Sequence, residues 1–267
     1  MTNIKMNASG SNVFWTLSVT NKQVLHAQLE PLGLEDMITE RVGIRVMRRA
    51  IDETMPEAAL VRRTQLGTEL EVVNETLGEG ANQYDHRLTV DLNKPEAWTD
   101  EMSRAFDRQK QLLDPYQVGR ILREMVFKLG GIMIRETGGI YWIPGDRVAE
   151  FRQLSDAVEA SGAGNKVYFQ TISLDAPTIE TLRDSLSREV EAEAASIIDD
   201  LSNEIGQRGI DNRRATAKEL LEKVRAYEGL LTTSLDGLRK SIEEIEVAAA
   251  AAELIAAGRK EAKNGSN

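Results

Sequence analysis

Gly130-Gly131-Ile132-Met133-Ile134-Arg135-Glu136-Thr137-Gly138-Gly139-Ile140-Tyr141-Trp142-Ile143-Pro144-Gly145 is the most structured stretch of the chain. Two short apolar runs, Ile132–Ile134 and Ile140–Ile143, flank Thr137-Gly138-Gly139. Paired glycines supply the positive φ values that tight hairpin turns need. A helical pattern runs up to the stretch and another leaves it. The spacing predicts a helix, a β-hairpin and a helix at the centre of a folded domain.

On the upstream side, Val118, Ile121, Leu122, Met125, Val126 and Leu129 form one apolar stripe on a helix from about Tyr116 to Leu129. Asp114-Pro115 opens it, because proline at the first helical position already has the right φ. Thr99 caps a polar helix from Asp100 to Leu113. Glu69–Thr76 and Tyr84–Leu92 alternate apolar with polar residues about a loop holding Gly78, Gly80 and Asn82, the pattern of an antiparallel hairpin. Leu60–Thr64 reads as one more strand and Val13–Ser18 as the first. Between them Thr20 or Asn21 caps a short helix, and a second helix runs from about Glu35 to Thr54 with Ile38, Val42, Met47 and Ile51 inward. Its Arg41, Arg45, Arg48 and Arg49 read as a solvated face paired with Glu40, Asp52 and Glu53.

Downstream, Asp146 starts a helix that puts Val148, Phe151, Leu154 and Val158 on one side. Lys166–Leu174 follows as a last strand, with a mixed alternation that suits cover on both faces. The text then changes. Ile179, Leu182, Leu186, Val190, Ala194, Ile197, Leu201 and Ile205 recur in steps of three or four. After Gly206 and Gly209 a second seam reads Leu220, Val224, Tyr227, Leu231, Ser234, Leu238, Ile242, Ile245, Ala249, Ala252 and Ala256. A short glycine-containing link makes the two helices antiparallel neighbours. The second is longer, so its last part, including Val247–Ala252 and Leu254-Ile255, must fold back or meet another chain.

The expected fold class is α+β: antiparallel β-hairpins packed with helices, followed by a long antiparallel helical hairpin, a coiled coil. The expected boundaries are flexible tails at 1–12 and 264–267, an α+β domain at 13–174 and the helical hairpin at 175–263.

Composition narrows the function. Net charge is −10, with no basic half: residues 1–170 hold 20 Lys and Arg against 24 Asp and Glu, and the remainder 13 against 19. Such a chain is not drawn non-specifically to nucleic acid or anionic membrane. There is no cysteine, which excludes disulfides, thiolate metal sites and cysteine nucleophiles. No apolar run is long enough to span a membrane, and the polar N-terminus lacks a signal-peptide core. These features suit a cytoplasmic protein.

Site chemistry is sparse. The two histidines, His26 and His86, have no second histidine at ligand spacing, so no zinc site is indicated. Asp199, Asp200 and Glu204 read as the charged outer face of a helix rather than a divalent-metal site. Gly78-Glu79-Gly80 lacks the third glycine and the Lys-Ser/Thr of a phosphate loop. No catalytic residue, metal or cofactor is expected. Two surfaces are. Helix, helix and β-hairpin is the order of a winged-helix unit at about 99–144, with Arg120, Arg123, Lys128 and Arg135 placed for nucleic-acid contact. Tyr141, Trp142, Leu231, Leu238, Ile242, Ile245, Leu254 and Ile255 are the candidates for a protein interaction surface.

The segment Ile134-Arg135-Glu136-Thr137-Gly138-Gly139-Ile140-Tyr141-Trp142-Ile143-Pro144, followed by a helix, a strand and long C-terminal helices, resembles an uncharacterised group of phage and bacterial proteins. The likeness covers about residues 115–240. It implies a phage or prokaryotic setting, in the host cytoplasm if phage-encoded, and carries no catalytic residues. The expected function is a non-enzymatic interaction or scaffold protein. Its helical arm would dimerise or hold a protein partner, with a nucleic-acid-binding accessory protein as the alternative.

Overall fold

A computed structural model describes residues 9–38, 43–55, 60–63, 69–78, 81–135, 139–203 and 206–264. In chain order the elements are β1 (Ser9–Thr16), β2 (Thr20–Asn21), α1 (Lys22–Leu29), α2 (Ile44–Thr54), β3 (Leu60–Arg63), β4 (Glu69–Gly78), β5 (Ala81–Asp91), α3 (Asp100–Lys110), β6 (Leu112–Leu113), α4 (Pro115–Lys128), β7 (Ile132–Met133), β8 (Tyr141–Pro144), α5 (Val148–Ala160), β9 (Lys166–Ser173), α6 (Ala176–Ser202), α7 (Gln207–Leu231) and α8 (Asp236–Asn264). The fold is α+β with antiparallel strand pairs and long C-terminal helices, as the patterning indicates.

The chain divides into two compact units. One comprises Thr16–Leu122 with Gln153–Lys166; the other comprises Met1–Trp15, Arg123–Arg152 and Val167–Asn267. The chain leaves and re-enters the first unit within α4 and α5.

In the first unit, Asn21 caps α1 by accepting from the N–H groups of Gln23 and Val24, and Thr99 caps α3 through Met102 N–H. Both caps satisfy donors that a helix start leaves open. The hairpin β4–β5 forms and β3 pairs with β4, giving a three-stranded antiparallel sheet. Met47, Ala50, Ile51, Leu70, Val90, Met102 and Ala105 make its core. The expected long helix is shorter at its start. Glu35–Met37 is a 3₁₀ turn and α2 begins at Ile44; Val42 and Arg41 lie outside the described residues. Arg49 is half-buried. Its guanidinium bonds Asp114 at 3.3 Å and the carbonyls of Gln109 and Leu112 at 3.1 Å each, so it holds the turn between α3 and α4. Asn165, buried in the loop before β9, accepts from Ser18 N–H and donates to Thr20 Oγ1 and the Val158 carbonyl.

In the second unit, β7, β8, β1 and β9 form a four-stranded sheet in that order. The hairpin β7–β8 forms, although its tip at 136–138 lies outside the described residues. β9 is an edge strand with Tyr168 44% exposed, not a strand covered on both faces. Helix α4 ends as a glycine at C′ permits: Gly130 has φ 74°, its N–H reaches Phe127 O, and Gly131 N–H reaches Val126 O. At Gly131 a Cβ would lie 2.6 Å from the Trp142 carbonyl oxygen and 2.6 Å from Val126 Cγ1. Only glycine fits that close approach of chain to strand.

The C-terminal helices account for most of this unit. The expected second arm, one helix running to Lys263, is interrupted. Thr232 sits at φ 49°, α7 ends there, and the chain turns through 233–235 into α8. Pairing fixes the directions. Asp200 on α6 meets Arg213 at the start of α7 (2.5 Å), and Glu189 on α6 meets Lys223 further along α7. Glu253 late in α8 meets Arg214, while Arg239 at its start meets Glu228 near the end of α7. Each helix is antiparallel to the next, so α8 returns along α6 and the three form one bundle. The expected seam residues Leu182, Leu186, Val190, Ala194, Ile197, Leu201, Leu220, Val224, Tyr227, Leu231, Leu238, Ile242, Ile245 and Ala249 are its buried core. Burial on this scale drives the packing, since each leucine, isoleucine or valine side chain removed from water contributes about 1.5–3 kcal/mol.

Candidate interaction surface

The bundle decides where each proposed surface residue goes. Tyr141 and Trp142 alternate across β8, so they face opposite sides, and both are buried. The Tyr141 ring stacks on Trp15 with centroids 5.0 Å apart. Trp142 packs into the bundle core, its ring 5.8 Å from Tyr227. Trp142 is thus covered by the bundle helices, and Tyr141 lies on the other side of the strand against Trp15. Leu231, Leu238, Ile242 and Ile245 are likewise spent inside the chain. These six side chains present no surface to another molecule. Leu254 and Ile255 do: they are 76% and 58% exposed.

They are not isolated. Val247 is 72% exposed, and Ala250 and Ala251 are exposed beside it. At 3.6 residues per turn, Val247, Ala251, Leu254 and Ile255 lie on one face of α8. The opposite face carries Leu238, Ile242, Ile245 and Ala249 into the bundle. Around 245–255 α8 is thus apolar on two faces, and one of them is covered. Scattered exposed aliphatics are ordinary; a contiguous set on a rigid element marks a place where something binds. Val247 and Ala251 belong to the run 247–252 that the sequence marks as needing cover. Their face is recognisable only once the bundle shows which face of the alanine-rich run points inward.

A set of polar bonds keeps α8 in place. The Arg214 guanidinium spans Glu246 (3.3 Å) and Glu253, and Gln207 also reaches Glu253 (3.2 Å). Arg214 holds the Glu253 carboxyl below the ordinary glutamate range, with Gln207 adding to it. At the other end, Glu228 accepts from Arg239 and from Leu235 N–H, and these two bonds hold its carboxyl below its ordinary range. Such pairs contribute more to register than to stability.

An open groove of about 1600 Å³ lies in the same unit, between the end of α4, the start of α5 and helices α6 and α7. Two of its polar side chains are engaged with the backbone. Lys223 Nζ bonds Gly131 O at 2.9 Å and pairs with Glu189. Tyr227 Oη donates to Gly130 O at 2.9 Å. Burial, with the Glu189 charge adding to it, pushes the Tyr227 phenol well above its ordinary range, so it stays a donor. These contacts dock the glycine turn onto α7.

The basic set is spread out. Arg120 and Arg123 are half-buried on α4; Lys128 and Arg135 are exposed. Lys128 lies about 140° around α4 from Arg123, and it lines the groove. The β7–β8 hairpin is not a free wing, because β8 is bonded to β7 on one side and β1 on the other. Asp200 of the carboxylate group is paired with Arg213, and Glu204 lies outside the described residues. His26 is exposed at the end of α1. Among the described residues no three His, Cys, Asp or Glu side chains converge on a metal-sized site, and no helix is long and apolar enough to cross a membrane.

The chain belongs to a family of unknown function, DUF6744, whose model matches residues 35–260. No curated protein and no solved structure matches it.

Proposed function

We propose that this is a non-enzymatic interaction protein, and that the outer face of α8 is its working surface. One observation carries the reading: Val247, Leu254 and Ile255 are 72%, 76% and 58% exposed on a single face of a helix whose other face is buried. Leaving such a stripe in water forgoes burial of about 25 cal/mol per Å² of apolar surface. The bundle gives the stripe what a binding surface requires, a rigid element fixed by Glu228–Arg239 at one end and Arg214–Glu253 at the other. A second polypeptide chain is the partner class that fits, because an apolar helix face is read by another amphipathic element.

Nucleic-acid binding through Arg120, Arg123, Lys128 and Arg135 has less support. These four groups are dispersed, and the net charge of −10 opposes it.

Substituting Leu254→Asp tests the reading. The position is exposed, so the monomer keeps its fold, while every complex made through this face is lost. The reading fails if the variant retains every polypeptide contact of the parent chain, self-association included.

A further inference from the structure

We infer that the occupant of this face is a second copy of the chain, paired antiparallel about a two-fold axis between Ala250 and Ala251. The inference rests on the outer face of α8 being a binding surface, and it adds the partner and the geometry. On that face Lys240, Glu244, Val247, Ala251 and Leu254 follow in steps of four and three. This is a second heptad seam, separate from the buried one. Its centre is apolar and small, which allows two helices to approach closely.

Orientation follows from charge. In a parallel pair Glu243 and Glu244 would each lie beside their own copies, as would Lys240. Like charges side by side oppose pairing. In the antiparallel pair Val247 meets Leu254 of the second copy and Ala250 meets Ala251. The acidic pair Glu243 and Glu244 then falls opposite Ala257 and Gly258. The same apolar centre is buried, and Glu243 and Glu244 no longer face their own copies. The interface is self-complementary, as two-fold symmetry requires.

The chain has no native cysteine, so single cysteines report the geometry directly. Three full-length variants are made: Val247→Cys, Leu254→Cys and Leu254→Asp. Under mild oxidation, Val247→Cys mixed with Leu254→Cys forms a disulfide-linked dimer. Either cysteine variant alone does not, because the two identical positions are offset by about 10 Å along the helix axis. By sedimentation equilibrium the parent moves from 29.6 kDa toward twice that mass with rising concentration. Leu254→Asp stays at the monomer mass while its circular-dichroism spectrum and melting curve remain those of the parent.

Three results would each overturn the inference: a parent that is monomeric at every concentration, a Leu254→Asp variant that still dimerises, or Val247→Cys cross-linking to itself as efficiently as to Leu254→Cys. The first of these leaves the binding surface itself standing if Leu254→Asp loses a different polypeptide partner. It removes the surface as well if nothing is lost.

Discussion

The carboxylate of Glu228, near the end of α7, closes the turn into α8 by holding two groups at once. It pairs with the guanidinium of Arg239, and its Oε1 accepts the Leu235 N–H at 2.8 Å. One carboxylate thereby satisfies a backbone donor ahead of α8 and a side chain in its first turn. Arg239 and Leu235 both lower the Glu228 pKa. A lowered carboxylate pKa adds stability above the unfolded value, near 4.3, and that contribution disappears as pH falls through the folded value. The bundle is therefore expected to lose stability on the acid side of that range. Glu228→Gln keeps the size but drops the charge, and it flattens this part of the profile. Thermal melts at several pH values decide the matter; an unchanged acid limb in Glu228→Gln would contradict the role.

The two faces of α8 should respond oppositely to truncation. Ile245 is fully buried and Leu254 is 76% exposed. Ile245→Ala is expected to cost about 2–5 kcal/mol. Leu254→Ala, at a dilution where the chain is monomeric, should change stability by less than about 0.5 kcal/mol. Chemical denaturation measures both. Equal costs would mean that α8 does not lie on the bundle in this orientation.

Thr232 holds a left-handed conformation, φ 49°, at the end of α7. A β-branched residue is strained there by roughly 1–3 kcal/mol, and glycine is not. Thr232→Gly should raise the melting temperature, less the entropy that glycine loses on folding. A clear fall would show that the Thr232 hydroxyl bond to Leu231 O (2.8 Å) outweighs the strain.

Tyr227 gives the alkaline counterpart. Its phenol is buried, its pKa is raised, and its Oη bonds Gly130 O. The folded chain thus holds that proton more tightly than the unfolded chain does. The resulting stability is present below the unfolded tyrosine value, near 10, and is lost as pH rises toward the folded value. Tyr227→Phe should remove that alkaline loss and cost about 0.5–1.5 kcal/mol at neutral pH for the missing bond. Denaturant titrations at neutral and alkaline pH check both halves.

Much of the architecture was legible in the residues. The alternation of Glu69–Thr76 and Tyr84–Leu92, the Thr99 cap and the Gly130-Gly131 stop are local signals, and the corresponding elements are present. The buried seam from Leu182 to Ala249 was readable for the same reason, since period and packing agree along it. The break at Thr232 was not, because Leu231, Ser234 and Leu238 keep helical spacing straight through it. What ends α7 is a left-handed residue and a Glu228 bond seven residues back, and neither leaves a period in the sequence. The exposed face of α8 was hidden by the same break. Read as one continuous helix, the alanine-rich run was an overhang; read as a returning helix, it has an inside and an outside. Tyr141 and Trp142 misled because strand alternation says only that they face opposite ways, and tertiary packing covers both faces.

The most direct test of the account is sedimentation equilibrium of the parent chain beside Leu254→Asp over a wide concentration range. The account predicts that the parent rises from 29.6 kDa toward double that mass while Leu254→Asp does not. Superimposable curves for the two proteins would contradict it.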